Sequence, residues 1–91
     1  MDNEQLLGDV VASIVEKVLM NTGLTTYNKV GEILTDHNLM FSDCYRNPDV
    51  LNFALKELFG DTYMVTVEKI KSELTGLEDD KLAKFIQKLS E

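Results

Sequence analysis

FSDCYRNPDVLNFALKELFG, Phe41 to Gly60, holds the only cysteine, arginine and proline of the 91-residue chain, and the only histidine, His37, stands just upstream. Such a concentration of single-copy residues reads either as a chemical site or as an elbow between two helices. The triplet Asn47-Pro48-Asp49 favours the elbow. Asparagine suits an N-cap, and proline suits the first helical position, where its missing N–H would have no partner anyway. Asp49 then complements the positive end of the helix dipole. Val50, Leu51, Ala54, Leu55, Leu58 and Phe59 continue at helical spacing, and Gly60 ends the helix with its freedom to adopt positive φ.

Upstream, EQLLGDVVASIVEKVLMNTG places Leu6, Leu7, Val10, Val11, Ile14, Val15, Val18 and Leu19 at three- and four-residue steps, so a first helix is expected there. Asp2 and Asn3 are its candidate caps and Gly23 its stop signal. Gly8 and the valines lower intrinsic helix propensity, so packing has to hold this segment. A second helix is expected through TTYNKVGEILTDHN, capped by Thr25 or Thr26, with Tyr27, Val30, Ile33, Leu34 and His37 along one side and Asn38 as a left-handed terminator.

The link LMFSDCYR carries Leu39, Met40 and Phe41, which should pin it to the core, and Ser42 and Asp43 can start a single helical turn. Beyond Gly60, Asp61 or Thr62 can cap a fourth helix with Tyr63, Val67, Ile70 and Leu74 inward and Gly76 as terminator. A strand over YMVTV is rejected, because the spacing continues helically into EKIKSEL and a lone strand leaves its edges unpaired. The last segment, LEDDKLAKFIQKLSE, opens with acids, closes with Lys84 and Lys88, and has a stripe of Leu82, Phe85, Ile86 and Leu89. The expectation is all-α: a compact bundle of about five short helices forming a single domain over residues 1–91.

Composition narrows the function classes. With 44% hydrophobic and 27% charged residues, the chain has the profile of an ordered globular protein. Sixteen acidic against nine basic residues give a formal charge of -7, and the acids are spread along the whole chain. Phosphate backbones and anionic membrane surfaces are repelled by such a balance, so neither nucleic acid nor membrane is an expected partner. No apolar run approaches the roughly 20 residues of a membrane span, and MDNEQLLGD opens with acids where a signal peptide carries basic residues. A cytosolic protein is expected, and one cysteine forms no internal disulfide.

From Tyr27 to Leu74 the chain resembles a small archaeal helical family, the Nitrosopumilus output domain. The likeness rests on Leu39 and Asp43 before the elbow, Asn47 and Pro48 at its cap, Leu51, Ala54, Leu55, Leu58, Phe59 and Gly60 in the ALKELFG block, and Ile70 and Leu74 beyond. It covers about half of the chain. What the resemblance implies is a regulatory or signalling output module of unassigned molecular function, with no catalytic or binding residues to carry over.

The chemical candidates are sparse. Cys44 with His37 could make a small thiol enzyme or redox sensor, but nothing in their spacing brings them within hydrogen-bond reach, and free cysteine commonly behaves as a small hydrophobe. Asp36, His37, Asp43 and Cys44 lack the paired cysteines or histidines of a structural zinc site. Neither DHNLMFSDCYRN nor LEDDKLAKF has the ligand pattern of a calcium loop, and Glu78, Asp79 and Asp80 read as a helix start. Arg46 is expected to pair with Asp43 or Asp49. The glycines sit singly, so no phosphate loop is present and no cofactor or metal is expected.

A non-catalytic protein-interaction module is therefore the expected function, acting through a helical surface. The first helix supplies the candidate surface, at Leu7, Val11, Val15 and Val18. Its paired stripe of eight large aliphatic residues over fourteen positions is wider than one neighbouring helix covers. Either a homodimer or another protein partner buries the surplus edge, or the other helices enclose the stripe and leave it as core.

Overall fold

The computed structural model describes residues 3–74, 76 and 80–91. Helix α1 spans Asn3–Thr22, α2 Leu24–Asp36, α3 Pro48–Phe59, α4 Tyr63–Leu74 and α5 Asp80–Leu89, with 3-10 turns at Phe41–Asp43 and Gly60–Thr62. No strand occurs among the described residues, and the architecture is a compact all-α bundle measuring 33 × 25 × 22 Å. Helix α1 lies against α2, α4 and the first 3-10 turn, while α3 bridges α2 to α4 and α5.

The helix boundaries follow local chemistry, with instructive departures. The α1–α2 junction is a single residue. Gly23 donates its amide to the Leu19 carbonyl (2.9 Å) and accepts the Tyr27 amide (3.1 Å). Because Gly23 already supplies the first acceptor of α2, Thr25 and Thr26 fall inside the helix and cap nothing. The expected cap at Asp2 lies outside the described residues, and Asn3 stands inside α1.

The end of α2 is built as the sequence implies. Asn38 takes φ 59°, the Asn38 amide bonds the Thr35 carbonyl at 2.9 Å, and the Leu39 amide bonds the Leu34 carbonyl at 2.8 Å. This reciprocal pair satisfies carbonyls that a helix end otherwise leaves bare, and it turns Leu39 back onto the core.

At α3, Asn47 occupies the N-cap and Pro48 the first helical position. The bonding of Asn47 runs opposite to the expected one, however. Its side-chain amide donates to the Asp43 carbonyl at 3.0 Å, and no helix N–H bonds its side-chain oxygen. The residue ties the helix start to the elbow. Gly60 closes α3 at φ 58°. Thr62 likewise looks backward, its hydroxyl donating to the Phe59 carbonyl at 2.8 Å, so it holds a 3-10 turn and does not cap α4.

One cluster of buried side chains unites all five elements, drawing Val11, Val15, Val18 and Leu19 from α1 and Leu51, Ala54 and Leu55 from α3. Helix α4 contributes Val67, Ile70 and Leu74, and α5 contributes Leu82, Phe85 and Leu89. Each buried valine, leucine, isoleucine or phenylalanine among them favours folding by about 1.5–3 kcal/mol before chain entropy is charged against it.

The C-terminal end of α5 is held by side chains of α3 and α4. Asn52 donates to the Leu89 carbonyl (2.7 Å), Tyr63 to the Ser90 carbonyl (3.1 Å) and Lys56 to the Glu91 carbonyl (3.0 Å). Carbonyls that the end of a helix cannot pair internally thereby find donors.

Candidate functional site

Of the four helix-1 residues expected to form a surface, three are core and Leu7 is partly buried against it. Val11 and Val15 are fully buried, Val18 nearly so, and Leu7 is half-buried against the same cluster. The expectation of an interaction surface at these positions is thus corrected. With α2, α4 and the elbow all seated on α1, the wide stripe is enclosed within one chain. Only Leu6, at the start of the stripe, stays exposed. The surplus edge that argued for a homodimer is covered from within.

Cys44 and His37 occupy unlike surroundings. Cys44 is fully buried in the core cluster. Burial first, then the charges of Asp43 and Glu16, push its thiol up to about 12. It therefore stays protonated at neutral pH, the reverse of an activated nucleophile. His37 is exposed, with Nδ1 on the Ile33 carbonyl at 2.9 Å and its ring edge-on to Phe53. No hydrogen bond joins the two. Among the described residues no group of three or more carboxylate, histidine or cysteine side chains converges as metal ligands. Glu78 and Asp79 lie outside those residues.

What the fold does build is a groove. The elbow that returns from α2 is rigidified by Asp43, whose carboxylate accepts the Met40 amide at 2.9 Å while its own amide bonds the Met40 carbonyl. This small closed loop places Phe41 flat against Tyr27, with centroids 5.2 Å apart and rings within 1° of parallel. Phe41 also lies over Gly31 of α2, where a Cβ would stand 3.6 Å from Phe41 Cε2, an ordinary contact distance. Tyr27 in turn donates its hydroxyl to Glu16 Oε1 of α1 at 3.2 Å, linking the two helices. Partial burial, then the Glu16 charge and this hydrogen bond, raise the Tyr27 phenol above its ordinary value.

The resulting open groove, about 760 Å³, runs between α1, α2 and the elbow. Ala12, Leu34, Leu39 and Phe41 supply apolar lining, and Met40 lies on the rim at 71% exposure. Met40 was expected to be pinned inward with its neighbours. The Asp43 loop holds its backbone and leaves the side chain in solvent.

Among the described residues, three carboxylates, Glu16, Glu32 and Asp36, line the groove, and no lysine, arginine or histidine does. Glu32 and Asp36 are four residues apart on α2, a like-charge spacing that destabilises a helix by about 0.2–0.5 kcal/mol. That pair was a readable signal in the sequence. Glu16 was not, because it joins the others only once α1 and α2 are packed.

Two smaller recesses accompany the groove. One, of about 490 Å³, lies between α4 and α5 over Leu74, Leu82 and Ile86. The other, about 230 Å³ and polar, is lined by Asp9, Asp43 and Arg46. Among the described residues, no helix is long and apolar enough to cross a membrane. No protein-family model, no curated protein and no solved structure matches the chain.

Proposed function

We propose that this chain is a non-catalytic protein-interaction module, of a regulatory or signalling kind, that engages its partner through the groove between α1, α2 and the elbow. The carrying observation is the exposed Met40 beside an open groove with an apolar floor. Flexible, polarizable methionine at a groove rim suits contact with another protein's side chains. Helical grooves with such floors are a recurrent docking mode for peptide segments. The resemblance to the Nitrosopumilus output domain is in keeping with a regulatory or output module of unassigned molecular function.

The test is to plug the groove. Thr35 is exposed on the α2 side of the lining, so Thr35→Trp fills the space without entering the core. Wild type and Thr35→Trp are immobilised, folding is checked by circular dichroism, and proteins captured from native-cell lysate are compared. The expected result is a protein retained by wild type and lost on the plugged variant. Identical capture by both chains, or none by either, overturns the reading.

A further inference from the structure

We infer that the occupant of the groove is a basic segment of a partner protein, one large apolar side chain flanked by lysine or arginine. This inference rests on the groove reading above and deepens it. The floor asks for an apolar anchor, which would seat between Phe41 and Met40. The walls ask for positive charge: Glu16 approaches from α1, Glu32 and Asp36 from α2, and among the described residues no basic side chain lines the groove to answer them. Glu32 and Asp36 repel one another on consecutive turns, and a bound cation relieves that repulsion, so binding and the stability of α2 are coupled. A guanidinium reaches a carboxylate with two parallel N–H bonds, which gives arginine the better geometry of the two cations.

The field of the whole molecule acts in the same sense. A formal charge of -7 attracts a basic segment over distance and speeds encounter at low salt. It opposes a second copy of this chain, an acidic peptide and an anionic lipid surface.

The test uses fluorescence anisotropy of three labelled synthetic peptides on the full chain: an amphipathic leucine–arginine helix, its leucine–glutamate counterpart, and an arginine–serine peptide without apolar residues. The leucine–arginine peptide is expected to bind, at least about tenfold tighter than either of the others. Raising salt from about 0.05 M to about 0.5 M should weaken it severalfold. The double reversal Glu32→Lys with Asp36→Lys should lose about tenfold or more, whereas Glu57→Lys with Glu68→Lys, an equal charge change on exposed residues outside the groove, should lose far less.

Amide chemical shifts of the wild-type chain provide a readout independent of variant folding, and the largest changes should fall on Gly31, Thr35 and Phe41. Equal loss in both charge variants, equal binding of the glutamate peptide, shifts centred on the α4–α5 recess, or no binding of any peptide overturns the basic occupant. So does occupation of the groove by a second copy or by anionic vesicles. If the peptides fail while lysate capture remains sensitive to Thr35→Trp, the groove reading stands and only the chemistry of its occupant falls.

Discussion

Two helical glycines, chemically identical and each replaceable by alanine, should respond with opposite sign. Alanine in a helix interior is more favourable than glycine by about 0.8–1.0 kcal/mol, and this gain applies to Gly8 in α1 and to Gly31 in α2 alike. At Gly31 the added methyl would rest 3.6 Å from Phe41 Cε2, an ordinary contact, so the propensity gain survives. Gly31→Ala should stabilise the protein by about 1 kcal/mol.

At Gly8 the methyl would stand 3.1 Å from the Ser42 carbonyl oxygen, a backbone atom. That oxygen sits inside the Met40–Asp43 loop, two residues before the fully buried Cys44, and retreating a few tenths of an ångström strains both. Overpacking of this kind costs typically 1–3 kcal/mol. Gly8→Ala should therefore lose about 1 kcal/mol net, and Gly8→Val, with a larger side chain and poorer helix propensity, at least about 2 kcal/mol.

Urea unfolding followed by circular dichroism measures both substitutions on one scale, with unchanged slope confirming that only stability moved. The difference between the two alanine variants should be about 2 kcal/mol. Equal stabilisation of both would refute the close approach of the elbow to α1, and with it the argument that glycine is required at position 8. Destabilisation by Gly31→Ala would refute the placing of Phe41 over α2 that shapes the groove.

Asn47→Ala should lower stability by about 1 kcal/mol through the lost donation to the Asp43 carbonyl, and Asn47→Asp, which keeps a capping oxygen but has no amide to donate, should fail to rescue it. Full rescue by aspartate in denaturant titrations would restore the capping role. For Cys44 the folded chain holds the proton more tightly than the unfolded one, whose thiol titrates near 8.5. The stabilisation is thus complete below that pH and is lost as pH rises toward about 12, by up to about 1.4 kcal/mol per unit. Cys44→Ser should be less stable at neutral pH yet lack this alkaline decline, and a decline identical to that of wild type counts against the buried thiol. Val15→Ala should cost about 2 kcal/mol as a core truncation, while Leu6→Ser should stay within about 0.5 kcal/mol, as thermal melts will show. The reverse order would return the helix-1 stripe to the surface.

Local chemistry made much of the fold legible. Pro48 after Asn47, the positive φ of Asn38 and Gly60, and the helical spacing of α3 and α5 depend on interactions within a few residues, which a sequence displays directly. The same locality explains where the reading went astray at caps. Asn47, Thr62 and the threonines of α2 are all able to cap, but each also has a competing carbonyl or a competing boundary nearby, and only backbone placement chooses between them.

The helical class, the helix start at Asn47-Pro48 and the acidic balance were legible in the sequence alone, because periodicity, punctuation and charge are properties of residues in order. Tertiary structure decided which apolar stripe is covered and which carboxylates face one space. The enclosure of Val11 and Val15, the seating of Leu89 under Asn52 from 37 residues away, and the meeting of Glu16 with Glu32 and Asp36 all depend on packing between elements. Hydrophobic burial is non-directional, so a stripe specifies that it must be covered without naming its neighbour; the neighbour follows from how helices joined by Gly23 and the elbow can fill space together.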